Sequence, residues 1–297
     1  MNFNESLTIK VENIEKIIKK YLPKEEGYQS TVIEAMNYSV LAGGKRLRPM
    51  LLQEVFEAYG GTGSLAEPFM AAIEMIHTYS LVHDDLPAMD NDEYRRGRKT
   101  THVVYGEAMG ILAGDGLLNY AFETAISAFD VATHEEYPRI AAALQILARK
   151  AGIYGMIGGQ VCDVESEGSA EPISGKQLMF IHEHKTAALI QAAMMIGGIL
   201  AGADETQIKG LEQAAYDLGI AFQIQDDILD VTSTFEALGK PIGSDVKNNK
   251  QTYVSIYGLT QAKEEVKRLS EEAIALLNLE ADSFLPHLFE SLIYRNK

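Results

Sequence analysis

The spacing of apolar residues in this chain is helical almost from end to end. In the first segment, Ile9, Ile14 and Ile18 recur close to the helical period of about 3.6 residues. Segments of the same kind follow at roughly residues 66–85, 106–131, 135–162, 175–202, 206–231, 260–278 and 282–294. No run of alternating apolar and polar residues indicates a strand, and no repeat or low-complexity linker divides the 297 residues. The pattern therefore predicts one all-α domain over residues 1–297, with long helices around a central apolar cavity.

The most apolar part of the pattern, residues 187–203, carries no charge and is rich in Ala, Gly and Met. It is at the short limit for a membrane span, so we expect a buried core helix and no stable membrane insertion. Residues 1–23 contain three glutamates and no apolar core, which is not the composition of a secretory signal or a transit peptide. The single cysteine, Cys162, cannot form an internal disulfide. We therefore expect a cytoplasmic protein.

The net charge of the chain limits the classes of partner that it can bind. The chain has 26 Lys and Arg against 42 Asp and Glu, a formal net charge of −16. An average surface of this sign repels nucleic acid and anionic lipid, so we expect no nucleic-acid partner. A local basic site can still bind a small anion.

Two clusters of carboxylates each follow an apolar helical segment. The first contains Asp84, Asp85 and Asp90, and the second contains Asp226 and Asp230. On a helix, Asp226 and Asp230 are about 40° apart around the axis and about 6 Å apart along it, so they share a face. Like charges this close, at the negative end of a helix dipole, destabilise the fold unless a cation binds. A solvated acidic face explains either cluster alone, but two clusters in the same setting favour Mg²⁺ sites.

The first cluster needs a break in its helix. Asp84 and Asp90 are six positions apart, about 240° around an ideal helix, and converge only if Pro87 helps to end it.

Basic residues recur near glycines and near the first carboxylate cluster. Residues 43–49 read GGKRLRP, which places Lys45 and Arg48 before a helix that we expect to begin at Pro49. Residues 95–99 read RRGRK and directly follow the first cluster. A helix-capping loop is the alternative for the first group, and ion pairing with Asp90, Asp92 and Glu93 is the alternative for the second.

Together these groups suit one diphosphate bound through metal and a second bound by Lys and Arg. Small residues in the apolar helices, such as Ala192, Ala193, Gly197 and Gly198, could border a pocket for a hydrocarbon. The composition thus favours a substrate in which a diphosphate is joined to a hydrocarbon. His77 lies on the helix before Asp84. A role in the site and an ordinary position in the core or at its rim are equally compatible with this placement.

Six motifs occur in a characteristic order. They are GGKRLRP at 43–49, HTYSLVHDDLPAMD at 77–90, RRG at 95–97, KT at 185–186, FQIQDDILD at 222–230 and GK at 239–240. As a set they resemble the trans-isoprenyl diphosphate synthase (polyprenyl synthetase) family, most closely its bacterial farnesyl-forming members, from about residue 30 to the end of the chain. The resemblance implies an all-α isoprenoid-synthase fold, a homodimer, and Mg²⁺-dependent condensation of isopentenyl diphosphate with dimethylallyl and geranyl diphosphates to farnesyl diphosphate.

The resemblance also implies a role for each matching residue. Several Mg²⁺ ions per site would be bound by Asp84, Asp85, Asp90, Asp226 and Asp230. The allylic diphosphate would be bound by Arg95, Lys185, Thr186, Gln223 and Lys240. Isopentenyl diphosphate would be bound by Lys45, Arg48, His77 and Arg96. The catalytic residues would be Asp84, Asp85, Asp90, Asp226 and Lys185.

In the family that the chain resembles, bulky residues one turn or slightly more before the first carboxylate cluster can close the floor of the pocket and limit the length of the product. Tyr79 and Ser80 occupy those positions here. Ideal-helix geometry places Ser80 nearer than Tyr79 to the face of Asp84, so geometry alone does not select the tyrosine. The Tyr-Ser pair matches the farnesyl-forming members of the family. The alternatives are a geranyl or geranylgeranyl diphosphate synthase, then a terpene cyclase or a non-catalytic prenyltransferase subunit. The intact carboxylate clusters argue against the last of these.

Overall fold

The computed structural model describes residues 2–167, 172–232, 251–279 and 283–293. Almost all of the regular structure in these residues is helical, which confirms the all-α prediction. The contacts divide the chain into two compact units, residues 1–145 with 196–202 and residues 146–195 with 203–297. The expected single domain remains a prediction.

The first unit is built around one buried helix. Its helices are α1 (Phe3–Lys20), α2 (Ser30–Val40), α3 (Leu47–Ala58), α4 (Glu67–Asp84), α5 (Thr101–Tyr105), α6 (Glu107–Ile126) and α7 (Ala128–Val131). Helix α4 packs against α1, α2, α3, α6 and α7, and buried side chains surround it on nearly every side. Its C-terminal residues are therefore held in a fixed position by the surrounding helices.

The second unit is organised around a longer helix. Its elements include α9 (Met156–Glu167), α10 (Gly175–Ile181), a π-helical turn (His182–Ala187), α12 (Glu205–Thr232), α13 (Tyr253–Tyr257), α14 (Leu259–Leu277) and α15 (Phe284–Ile293). Helix α12 packs against α13, α14, α15 and the π-helical turn. Two further helices, α8 (Tyr137–Ala151) and α11 (Ala188–Ala201), have residues in both units.

Several predicted boundaries were wrong. The segment predicted at 106–131 is divided at Ser127, and the one predicted at 135–162 is interrupted between Ala151 and Met156. Helix α3 begins at Leu47, two residues before Pro49, because Arg46 adopts a left-handed conformation and ends the preceding loop. A two-residue antiparallel ladder, β1 (Tyr94–Arg95) with β2 (Arg98–Lys99), is too short to give a periodic signal.

Two helical stretches in the described residues are long and apolar enough to cross a membrane, judged by length and composition alone. They are Tyr137–Glu167 and Gly175–Ala201, and 72% of the apolar window of the second is buried. Leu189, Ala192 and Met194 on α11 are fully buried, as expected for a core helix. Core helices of soluble proteins have the same composition as such spans.

Gly197 on α11 packs against α3 instead of lining a pocket. A Cβ atom there would lie 2.4 Å from the carbonyl oxygen of Leu52 and 3.1 Å from Cβ of Val55. This glycine allows α11 and α3 to approach closely, so the expectation that it borders a hydrocarbon pocket is wrong.

Candidate active site

The first carboxylate cluster lies where α4 ends. The helix ends at Asp84, Asp85 caps it, and the chain turns before Pro87, as the spacing predicted. The amide of Asp90 donates a hydrogen bond to the carbonyl oxygen of Asp84 at 2.9 Å. The turn thus brings Asp84 and Asp90 together although they are on different sides of an ideal helix.

Asp85 is paired with a cation. It is 4% exposed, and Arg95 contacts its Oδ1 through Nε at 2.7 Å and through Nη2 at 2.6 Å. Burial raises the pKa of Asp85, and the hydrogen bond and charge of Arg95 oppose that rise. Arg95 Nη2 also lies 3.6 Å from Asp92. The ion pairing considered for residues 95–99 therefore exists, with Asp85 as the main partner.

The basic loop at residues 43–49 contains three cations, and one of them has a structural role. Arg46 is 2% exposed and donates to Glu15 at 2.6 Å, to Glu74 at 2.7 Å and to the carbonyl oxygen of Val40 at 2.7 Å. Since its charge is matched by two carboxylates, it is not available to a ligand. Lys45 is exposed, and Arg48 is partly buried.

Arg48, His77 and Arg96 form a basic cluster. Burial lowers the pKa of Arg48 to about 10, and its buried Nε has no hydrogen-bond partner. The pKa of His77 is well below its usual value because of burial and then the charges of Arg48 and Arg96, with smaller effects of Arg95 and Arg46. A neutral imidazole beside several guanidinium groups is a favourable environment for an anion.

Arg96 is held against the glycine loop. Its Nη1 donates to the carbonyl oxygen of Gly43, and a Cβ atom on Gly44 would overlap its guanidinium group. Gly44 has φ +139°, which also favours glycine. The two glycines therefore bring the loop into contact with Arg96. From the sequence, only the resemblance had grouped Arg96 with the cations of this loop.

Tyr79 and Ser80 differ in burial. Tyr79 is 6% exposed, its hydroxyl is buried without a hydrogen-bond partner, and its ring packs edge-on against His83 with centroids 5.8 Å apart. Burial, followed by the charge of Asp84, raises the pKa of Tyr79 to about 12. Ser80 is half-buried and donates to the carbonyl oxygen of His77 at 2.9 Å. The larger and more buried of the two side chains is the tyrosine.

The second unit has a cavity lined by predicted site residues. It is lined by Asp163, Ser166, Ile173, Leu178, Ile181, His182, Lys185, Thr186, Gln223, Asp227, Gln251 and Thr252. Lys185 Nζ donates to Asp163 Oδ2 at 2.6 Å, and Thr186 Oγ1 donates to Gln223 Oε1 at 3.0 Å. The structure therefore brings together Lys185, Thr186 and Gln223, three residues that the resemblance had grouped.

The second carboxylate cluster lies near the C-terminal end of α12. Asp226 and Asp230 are on one continuous helix, as their spacing predicted. The residue between them, Asp227, is 5% exposed and accepts a hydrogen bond from the amide of Tyr253 at 2.7 Å. Asp227 also lies 3.9 Å from Nε2 of His182. It anchors the chain where α13 begins.

Sequence analysis did not single out Asp163. It lies on the buried stripe of α9 with Met156 and Gly159. A carboxylate is seldom fully buried unless it is paired. The position of Asp163 in phase with the apolar residues of its helix could therefore have marked it as a residue with a cationic partner. Lys240 and the C-terminal residues 294–297 lie outside the described residues.

The carboxylates are suited to Mg²⁺, although the described residues contain no ready-made group of three or more His, Cys, Asp or Glu side chains around one point. Mg²⁺ in enzymes that act on phosphates usually binds one or two carboxylates and completes its shell with substrate phosphate and water. The hard oxygen ligands of Asp84 and Asp90 at the end of α4 fit this mode.

Comparison with known proteins identifies the family. Residues 29–290 match the polyprenyl synthetase family model. The chain belongs to the polyprenyl synthetase family. It is therefore a prenyltransferase, as the resemblance implied, and its fold is the isoprenoid-synthase fold.

Individual relatives of this family agree with the match. The farnesyl diphosphate synthase of Geobacillus stearothermophilus is 45% identical over 258 residues, which cover 85% of this chain and 84% of the relative. The geranylgeranyl diphosphate synthase of Cyanophora paradoxa is 44% identical over 264 residues, which cover 88% of this chain and 85% of the relative. A crystal structure of the Helicobacter pylori geranyltransferase, in complex with magnesium and isoprenyl diphosphate, aligns with a TM-score of 0.81 at 33% identity, covering 99% of this chain and 97% of that one.

Proposed function

We propose that the protein is a Mg²⁺-dependent synthase that condenses isopentenyl diphosphate with dimethylallyl and then geranyl diphosphate, giving (2E,6E)-farnesyl diphosphate. One observation about α4 carries the proposal. The helix presents His77, within the basic cluster, and Asp84, within the carboxylate cluster, seven residues or about 10 Å apart along its axis. One rigid helix thus provides a site for a diphosphate bound by cations and a site for a diphosphate bound through metal.

The metal assignment follows from the carboxylates and from the magnesium in the Helicobacter relative. Asp84, Asp85 and Asp90 would bind Mg²⁺, as would Asp226 and Asp230. Bound Mg²⁺ would neutralise the charge that develops on the leaving diphosphate.

The remaining residues would bind and orient the substrates. By the resemblance, Lys185, Arg95 and Lys240 would supply positive charge to the allylic diphosphate, and Lys45, Arg48 and Arg96 would supply it to isopentenyl diphosphate. As the allylic carbon–oxygen bond ionises, Thr186 and Gln223 place oxygen dipoles in the cavity, where partial negative charge stabilises a carbocation. Ile173, Leu178 and Ile181 form an apolar wall that excludes water from the reacting carbon.

The choice of a farnesyl product rests on Tyr79. Relatives at 44–45% identity include both a farnesyl and a geranylgeranyl diphosphate synthase, so the family alone leaves the product open. A buried tyrosine one to two turns before Asp84 would close the end of the hydrocarbon pocket after fifteen carbons. The alternative is a geranyl or geranylgeranyl product, which would require a shallower or a deeper pocket.

The resemblance also favours a cytoplasmic homodimer. Helix α6 carries exposed apolar side chains at Ile111, Leu112 and Ile126, which suits a surface that associates with a second copy. Sedimentation equilibrium of the purified chain would give the mass of the particle, and a monomer at micromolar concentration would contradict the dimer.

The deciding experiment is incubation of the purified protein with isopentenyl diphosphate, dimethylallyl diphosphate and Mg²⁺, followed by chromatography of the dephosphorylated products. We expect farnesol as the main alcohol and no product when the divalent metal is chelated. Geraniol or geranylgeraniol as the main alcohol would contradict the proposed length of the product. It would still support the prenyltransferase activity. Cyclised hydrocarbons, or no product with Mg²⁺ present, would contradict the proposed reaction.

A further inference from the structure

Lys185 and Thr186 lie in an unusual stretch of backbone. Residues His182–Ala187 form a π-helical turn between α10 and α11, and both neighbouring segments are ordinary α-helix. Such turns contain one more residue per hydrogen-bonded ring than an α-helix and are rarely stable without support from their surroundings. The elements that pack against this turn therefore determine where the side chains of Lys185 and Thr186 point.

Helix α9 contacts the backbone of the turn through a glycine. A Cβ atom on Gly159 would lie 2.1 Å from the amide nitrogen of Lys185, 2.8 Å from its Cα and 2.7 Å from the carbonyl carbon of His184. These are backbone atoms, which cannot move aside by changing a rotamer. Glycine within a helix costs about 1 kcal/mol relative to alanine, so its presence here has a packing reason.

The same helix holds the other end of Lys185. Asp163 is one turn after Gly159 on the same face of α9, is 3% exposed, and accepts a hydrogen bond from Lys185 Nζ at 2.6 Å. Helix α9 thus fixes the backbone of Lys185 with one residue and its ammonium group with another. An ammonium group has three N–H donors, so at least one is directed to Asp163.

A second glycine supports the opposite end of the turn. A Cβ atom on Gly219, in α12, would lie 2.4 Å from Cβ and 2.7 Å from Cα of Ala187. Helix α12 also carries Gln223, which is one turn after Gly219 and accepts the hydrogen bond from Thr186. The arrangement on α12 therefore repeats that on α9, with a glycine that admits the turn and a polar side chain four positions later that holds one of its side chains.

We propose that Gly159, Asp163 and Gly219 are positioning residues for the allylic diphosphate. Together they hold the π-helical turn so that the ammonium group of Lys185 and the hydroxyl of Thr186 reach the same cavity. The inference rests on the proposed function, since it concerns the binding of that substrate, but none of the three residues has to touch the substrate itself. A displacement of about 1 Å in such a group can reduce turnover about 10²-fold.

The test compares four variants. Gly159→Ala and Gly219→Ala place a methyl group against the turn, and Asp163→Asn removes the charge of the ion pair with little change of shape. Gly210→Ala is the matched control, because Gly210 is also inside α12 but its Cβ would meet only the carbonyl oxygen of Leu276, at 3.9 Å. For each protein, kcat and the KM of both substrates are measured, together with thermal unfolding and the Kd of an unreactive allylic thiolodiphosphate.

We expect Gly159→Ala to lower kcat/KM for the allylic substrate about 10²-fold. Gly219→Ala should lower the same constant. Asp163→Asn should lower it at least about tenfold and raise the Kd of the thiolodiphosphate. In all three the KM of isopentenyl diphosphate should stay within about twofold of the wild type, which a general loss of structure would not produce. Gly210→Ala should match the wild type in every kinetic constant.

Equal changes in the KM of both substrates, or wild-type kinetics in a folded Gly159→Ala protein, would overturn the inference. If Gly159→Ala unfolds below the assay temperature, the Asp163→Asn protein decides alone, because wild-type allylic kinetics there would equally overturn it. The wild-type assay separates this outcome from failure of the proposed function. If the wild type condenses the two diphosphates and the variants show no selective effect, only the positioning role is wrong.

Discussion

The guanidinium group of Arg95 contacts a single carboxylate oxygen of Asp85 through both Nε and Nη2, at 2.7 and 2.6 Å. Only 6% of the Asp85 side chain is exposed, so the pair is poorly screened by water. Asp85 therefore has a buried structural partner in Arg95. This pairing gives Asp85 a part in the stability of the fold.

Removal of Arg95 should destabilise the protein through Asp85. Arg95→Gln would leave the buried carboxylate with a weaker partner, and we expect a loss of about 1.5–3 kcal/mol in the free energy of unfolding. The double variant Arg95→Gln/Asp85→Asn should lose less than the sum of the two single variants, as measured by urea unfolding. Asp92→Asn is the control, because Asp92 is exposed and 3.6 Å away, and it should change the stability by less than about 1 kcal/mol. Additive single losses would contradict the pairing.

Asp84 should matter for turnover and little for folding. It ends α4 where the proposed metal would neutralise the leaving group, so we expect Asp84→Ala to lower kcat by about 10²–10³-fold or more with an unchanged circular dichroism spectrum. Asp130→Ala, which changes an exposed aspartate on α7, should leave kcat unaffected. Near-normal activity of Asp84→Ala with added Mg²⁺ would refute the metal assignment.

Tyr79 permits a test that separates size from hydrogen bonding. Its hydroxyl is buried without a hydrogen-bond partner, so Tyr79→Phe should be nearly neutral in stability and should leave the product unchanged. Tyr79→Ala should cost about 3–5 kcal/mol and should yield prenyl diphosphates longer than that of the wild type, measured by chromatography of the alcohols. If Tyr79→Ala gives no longer product, the tyrosine does not close the pocket.

The sequence was sufficient for features that depend on local pattern. The helical period predicted most helices, and Pro87 after two aspartates predicted the end of α4. Features that depend on distant partners were not predictable in the same way. The sequence GGKRLRP shows three neighbouring cations, but it does not show that the charge of Arg46 is matched by Glu15 and Glu74, which are 31 and 28 positions away.

The candidate site shows the same division. Residue type and spacing marked Asp84 and Asp226, and the resemblance to the family marked Lys185. The π-helical turn around Lys185 could not be predicted, since it is defined by packing against Gly159 and Gly219 from two other helices. Periodicity within one segment contains no information about such contacts.

The low pKa of His77 should make stability depend on pH. Burial and the nearby arginines lower the pKa of His77 well below 6.5 in the folded protein, whereas the unfolded chain retains a value near 6.5. Between these two values the unfolded chain binds a proton that the folded protein does not. The contribution of His77 is therefore complete above about pH 6.5 and is lost as the pH falls below it, by at most about 1.4 kcal/mol per pH unit.

Urea unfolding of the wild type and of His77→Asn from about pH 5 to about pH 7.5 would measure this effect, and the variant should show a shallower fall in stability toward acid. Inorganic diphosphate provides a second measurement. An anion bound among Arg48, His77 and Arg96 would favour the protonated imidazole, so it should raise the pKa of His77 and flatten the pH dependence of the wild type but not of His77→Asn. Equal slopes for the two proteins would show that His77 is not held neutral. An unchanged wild-type slope with diphosphate would show that the basic cluster does not bind the anion beside this histidine.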